Sequence, residues 1–183
     1  PDDSPAPSVI GLEAGQPGCR VLIVDDQADN RAPLRALLEG LNPQPPVLEC
    51  REAVDGQEAV AIWEQWQPQV VFMDMRMPIL SGEEATRRIK GLMASRPEAV
   101  RTLVVALTAN ALNEQRDAIL ACGCDAFVRK PFQAEEVFAI LERQAGLRFL
   151  RASAASVQSP TLTPTAYAQR LAARPPAWRA ALQ

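Results

Sequence analysis

Three apolar runs constrain this chain more than any other feature: Val21-Leu22-Ile23-Val24, Val70-Val71-Phe72-Met73 and Leu103-Val104-Val105-Ala106-Leu107. They are too short for ordinary helices and rich in β-branched residues. They also lack the polar alternation of a strand that faces water on one side, so they predict strands buried on both faces. Residues 47–53 mix polar with apolar side chains and predict an edge strand, and residues 126–129 predict a fifth strand. Between these runs Leu34, Leu37, Leu38 and Leu41 stand at i, i+3, i+4 and i+7, and Ala59, Ile62, Trp63 and Trp66 repeat the spacing of a core-facing helical stripe. Ala85, Ile89, Leu92 and Met93 mark a third helix, and Val137, Ile140 and Leu141 a fifth. The fourth, over 111–120, has the shortest stripe and is expected to be weakly anchored.

Five strands alternating with five helices require right-handed crossovers and a parallel sheet covered on both sides. The expectation is a doubly wound α/β domain over residues 19–149. Residues 1–18, with four prolines and three glycines among small and acidic residues, read as a flexible linker. Residues 150–183 read as a partly helical extension, too short for a core of its own. Within it Thr163-Pro164 and Pro175-Pro176 resemble helix starts, and the pairs Tyr167/Leu171 and Trp178/Leu182 can each share a helix face. Because the chain opens on Pro1, it is expected to be a piece of a longer protein.

Several chemistries are excluded at once. The chain has no histidine, which removes imidazole catalysis, the Ser/His/Asp triad and most zinc sites. Its four cysteines, at 19, 50, 122 and 124, have neither CxxC nor zinc spacing and read as buried or incidental thiols. A net charge of −3 offers no broad basic surface, so no nucleic-acid contact is expected. No stretch approaches the roughly 20 apolar residues of a membrane span. A reducing, cytoplasmic setting fits, with a parent protein that could be membrane-attached.

In a parallel sheet the carboxyl ends of all strands share one edge, and ligands of doubly wound folds bind beyond it. Read this way, the first strand ends in Asp25-Asp26, the third in Asp74, the fourth in Thr108 and the fifth in Lys130. Any one of these could be a helix cap or a solvated charge. Three carboxylates brought together, however, repel unless cations lie among them, and Lys130 alone cannot neutralise them. Oxygen ligands without sulfur or imidazole favour a hard divalent ion such as magnesium, which keeps waters and shares its shell with phosphate.

These residues resemble the receiver domain of two-component response regulators. The matching segments are Val21-Leu22-Ile23-Val24-Asp25-Asp26, Met73-Asp74-Met75-Arg76-Met77-Pro78 followed by Gly82, Ala106-Leu107-Thr108-Ala109, and Phe127-Val128-Arg129-Lys130-Pro131-Phe132, covering about residues 19–147. The resemblance implies a flavodoxin-like (βα)5 fold with strand order 2-1-3-4-5. It implies Asp74 as phosphoacceptor, taking its phosphoryl group from a histidine kinase or a histidine phosphotransfer domain. Asp26, Asp74 and the backbone carbonyl of Arg76 would hold Mg2+, with Asp25 acting through water. Thr108, Lys130 and the Ala109 N–H would contact the phosphoryl oxygens, and Thr108 and Phe127 would form a switch. A face made of helix 4, strand 5 and helix 5 would be the output and a possible dimer surface. Lys130-Pro131 is the expected site of a cis peptide. Such a domain is a phosphoacceptor rather than a conventional enzyme, although the parent chain could be a histidine kinase.

Three features depart from the pattern: the proline-rich connection 40–46, Arg76, and Asn110. The latter two border the path of water to the phosphate and should tune its lifetime. A phosphatase of haloacid dehalogenase type would need a second aspartate where Arg76 stands, and a flavin or nucleotide binder would need a phosphate-cradling loop in place of Asp26-Gln27-Ala28-Asp29-Asn30. The segment Met73-Asp74-Met75-Arg76-Met77-Pro78 and its sequel look most like receivers of hybrid sensor histidine kinases, with a stand-alone response regulator as the alternative.

Overall fold

A computed structural model describes residues 9–41, 48–96, 98–109 and 113–152. Its elements in chain order are β1 (Val9–Leu12), β2 (Cys19–Val24), α1 (Ala28–Glu39), β3 (Leu48–Ala53), α2 (Gly56–Trp66), β4 (Val70–Asp74), α3 (Gly82–Ser95), β5 (Leu103–Thr108), α4 (Asn113–Ala121), β6 (Ala126–Arg129), α5 (Ala134–Ala145) and β7 (Phe149–Arg151). Five strands form one parallel sheet in the order β3-β2-β4-β5-β6. Counted without β1, that is the 2-1-3-4-5 order of a flavodoxin-like doubly wound fold.

The apolar runs are buried on both faces, as their composition requires. Along β2, Val21 and Ile23 join Leu34 and Leu38 of α1 and Val137, Phe138 and Leu141 of α5 in one core layer. Leu22 and Val24 point the other way, into a layer with Trp63 of α2, Ile89 of α3 and Ile119 of α4. β3 alternates buried ends with more exposed middle residues, as an edge strand should. The stripe on α5 differs from expectation: Phe138 is buried with Val137 and Leu141, while Ile140 is only half-buried. Phe138 gains a ring partner there, Phe149, at 5.1 Å between centroids.

Phe149 belongs to a feature the sequence reading lacks. β1 pairs antiparallel with β7, so the linker assigned to 1–18 does not extend over Val9–Leu12, and Ser8–Arg151 forms one compact unit. Leu12 is buried and its N–H donates to the Leu41 carbonyl. Gln16 donates to the Glu13 and Arg148 carbonyls and accepts from the Arg148 N–H, tying the two chain segments together. The connection 42–47, Asn110 and the tail residues 153–183, with Tyr167, Leu171, Trp178 and Leu182, lie outside the described residues. Among the described residues no helix is long and apolar enough to cross a membrane.

The cysteines are free thiols. Burial pushes Cys19 up to about 11 and Cys50 and Cys124 up to about 12, so little thiolate forms near neutrality. Alkylation by iodoacetamide at pH 7.5 should therefore be at least about tenfold slower in the folded protein than in urea. Equal rates by intact mass would contradict the burial of these thiols.

Candidate functional site

The site forms where β2 and β4 end. The Asp25 N–H continues the ladder by donating to Ala53, and the Met75 N–H donates to Leu107, so the chain leaves each strand with Asp25 and Asp74 at the carboxyl edge. After β4 the chain folds back sharply: the Gly82 N–H donates to the Met75 carbonyl, and a Cβ at Gly82 would lie 2.0 Å from the Asp74 carbonyl oxygen. Only glycine fits. Gly82→Ala should cost about 1–3 kcal/mol through displaced backbone, read as a lower urea midpoint at constant slope. A change below about 0.5 kcal/mol would mean the loop yields freely.

Asp25, Asp26 and Asp74 converge, each offering a carboxylate oxygen within 4.8 Å of the others. Asp25 is 1% exposed and its oxygens are engaged: Oδ1 accepts from the Gln27 N–H and Asn30 Nδ2, and Oδ2 faces Lys130 Nζ at 2.5 Å. Asp26 is exposed. Lys130, following β6, also reaches Asp74 Oδ1 at 3.2 Å, and the Arg76 N–H approaches the same oxygen at 3.5 Å. Burial raises the Asp74 carboxyl above the ordinary carboxylate range; Lys130 opposes this and the Asp25 charge adds to it. Lys130-Pro131 is cis, as expected.

A cleft of about 260 Å³ opens over the acids, lined among others by Asp26, Asp74, Arg76, Thr108, Ala109 and Lys130. Thus the structure brings together seven of the eight residues singled out from sequence, Asp25 through its contact with Lys130. Phe127 does not line the cleft; it is half-buried against the layer of α2 and α3. Lys130 pairs with two of the three carboxylates, Asp25 and Asp74, and the all-oxygen donor set of the cluster fits a hard divalent cation.

A family profile described as a response regulator receiver domain matches residues 21–142. This chain belongs to the response regulator receiver family. The receiver is 36% identical over 126 residues to the two-component response regulator ORR41 of Oryza sativa subsp. japonica, covering 68% of this chain and 92% of that protein. It is 30% identical over 146 residues to the sensor protein GacS of Pseudomonas syringae pv. syringae, covering 78% of this chain but only 15% of GacS. It likewise spans 14% of the response regulator SSK1 of Arthrobotrys oligospora, at 32% identity. Among solved structures, the receiver superposes with TM-score 0.60 and 33% identity on the receiver domain of a Pseudomonas aeruginosa sensor histidine kinase, covering 70% and 98% of the two chains. That structure has a magnesium ion in its active-site cleft. It superposes with TM-score 0.61 and 29% identity on the Saccharomyces cerevisiae Ssk1 receiver, covering 69% and 88%; that receiver was crystallised with the histidine phosphotransfer protein Ypd1.

Sequence reasoning missed Arg31, a buried arginine on α1 that donates to the Asp25 carbonyl at 2.6 Å. A hydrogen bond to a main-chain carbonyl leaves no spacing signature, since any residue type can carry that acceptor.

Proposed function

We propose that this receiver takes a phosphoryl group from a phosphohistidine on a histidine kinase or histidine phosphotransfer partner onto Asp74. The observation that carries the reading is Asp74 itself, at the floor of the cleft, 3.2 Å from Lys130 and grouped with Asp25 and Asp26. An Asp74 carboxylate oxygen attacks phosphorus, the P–N bond breaks with its electron pair leaving on the imidazole, and an acyl phosphate forms. Lys130 supplies a positive charge to one phosphoryl oxygen, while the Thr108 hydroxyl and the Ala109 N–H donate to others. A bound magnesium ion would offset charge on the phosphoryl oxygens. Asp26, Asp74 and the Arg76 carbonyl are the residues that would hold it, with Asp25 acting through water because its own oxygens are already engaged. Movement of Thr108 toward the phosphate would open space for Phe127 and change the face made by α4, β6 and α5, which is the candidate output and dimer surface.

The likeness to the receiver domain of a Pseudomonas aeruginosa sensor histidine kinase supports a hybrid sensor kinase as the parent chain, with residues 19–149, extended by the β1–β7 pair, as its receiver, and we place that receiver in the cytoplasm. The coverage of 92% of ORR41 favours the second reading, a stand-alone response regulator. The domain order of the full-length gene separates the two. The phosphoryl reading is tested with acetyl phosphate and magnesium: the intact mass should gain one hydroxylamine-labile phosphate, and its absence would reject the proposal. Magnesium affinity by calorimetry should fall by at least about tenfold in Asp26→Ala and by less in Asp25→Ala. Wild-type affinity in Asp26→Ala would refute the ligand assignment.

A further inference from the structure

We infer that Arg31 is a positioning residue for the acidic site, clamping the backbone that carries Asp25 and Asp26. The inference rests on the phosphoryl-transfer reading. Arg31 lies on α1, 9% exposed, where an arginine is rare unless paired. Its Nη1 donates to the Asp25 carbonyl at 2.6 Å and its Nε to Glu52 Oε2 on β3 at 3.0 Å. Glu52 is held from its other side by Arg35 at 3.2 Å, and Arg35 in turn pairs with Glu39 at 2.8 Å. The Arg31 hydrogen bond, with help from Arg35, holds the Glu52 carboxyl below its usual range against partial burial, so Glu52 stays a charged anchor.

The ladder explains why the site needs this donor. The Asp25 N–H donates to Ala53 of β3, so the Asp25 carbonyl faces the same strand, and β3 ends at Ala53. That carbonyl lies at the end of the β2–β3 ladder, and Arg31 meets it there. The consequence falls on Asp26, whose N–H belongs to the same peptide plane as the Asp25 carbonyl. On its other side the Gln27 N–H donates to Asp25 Oδ1. Asp26 is thus an exposed carboxylate between two pinned peptides. Releasing the Arg31 end lets the first peptide rotate and carries the Asp26 carboxylate away from Asp74.

Arg31→Ala, Arg31→Lys and Glu52→Gln in the full chain test this. Glu52→Gln removes the ion pair but keeps an acceptor for Arg31 and leaves its bond to Asp25 intact. Arg31→Ala removes the clamp. Magnesium dissociation constants by calorimetry, and half-saturating magnesium in acetyl phosphate labelling, should both rise about tenfold in Arg31→Ala and less than about threefold in Glu52→Gln. The labelling rate at saturating magnesium should stay within about twofold of wild type, a split that general loss of stability would not produce. Should Arg31→Ala fail to fold, Arg31→Lys decides, because one ammonium cannot span both acceptors as the guanidinium fork does, and it should weaken magnesium at least about threefold. Unchanged magnesium dependence in a folded Arg31 variant, or equal losses in Glu52→Gln and Arg31→Ala, would overturn the inference. A wild-type protein that binds no magnesium and takes no phosphate would instead overturn the phosphoryl-transfer reading.

Discussion

Asp74→Asn is expected to abolish phosphorylation by acetyl phosphate altogether, while leaving the fold intact by circular dichroism. The amide is nearly isosteric with the carboxylate, so packing at this 8%-exposed position should survive. Its nitrogen, however, has no free lone pair for attack on phosphorus, and the charge that draws Lys130 to 3.2 Å is gone. No neighbour can substitute: both Asp25 oxygens are committed to Gln27, Asn30 and Lys130. Asp26, exposed at the rim, lacks the lysine contact that Asp74 has among the described residues. A hydroxylamine-labile phosphate on Asp74→Asn, detected by intact mass and located by peptide mapping, would move the acceptor elsewhere.

The largest effect on stability should come from Trp63→Ala. Trp63 is fully buried in the layer between α2, α3 and the sheet, and its Nε1 donates to Thr102 Oγ1 at 2.7 Å. Thr102 in turn donates to the Pro68 carbonyl at 2.7 Å, so the indole completes a buried polar chain at the far end of the sheet from the acids. Truncation leaves a cavity and strands the Thr102 acceptor, for a loss of about 3–5 kcal/mol. That is a large share of the roughly 5–15 kcal/mol that holds a typical domain folded. Trp63→Phe keeps most of the volume but loses part of the ring and the hydrogen bond, so it should cost less, about 1–3 kcal/mol. The two are compared by urea midpoints at matched slopes; a loss below about 1 kcal/mol in Trp63→Ala would mean that the layer collapses around the deleted ring.

The strands and their order of burial were legible because a strand covered on both faces must be continuously apolar, a local property that 21–24, 70–73 and 103–107 display. The site was legible for a related reason. Parallel strands place their carboxyl ends on one edge, so the polar residue ending each run marks a shared location before any coordinate is known. Periodicity also identified the helices, but it was less reliable about which side chains they bury. Ile140 and Phe138 both fit an inward stripe on α5, and the presence of Phe149 beside the helix decides for Phe138.

What the sequence determined by itself is therefore everything set by short-range pattern. That covers the parallel sheet, its helical cover, and the meeting of Asp25, Asp26, Asp74, Thr108 and Lys130 at one edge. Tertiary structure alone decided the rest. Val9–Leu12 is a short glycine-containing segment with no strand signal, and it becomes a strand because β7 returns beside it with matching donors and acceptors. Arg31 carries no motif, and it becomes part of the site because α1 lays it between the Asp25 carbonyl and Glu52. The physical reason is common to both. β1 meets β7, and Arg31 meets Glu52, only once the intervening chain has closed, and Arg31 can reach back to the Asp25 carbonyl only from the place that α1 takes on the sheet, so the fold selects these partners and they leave no spacing in the sequence from which to read them.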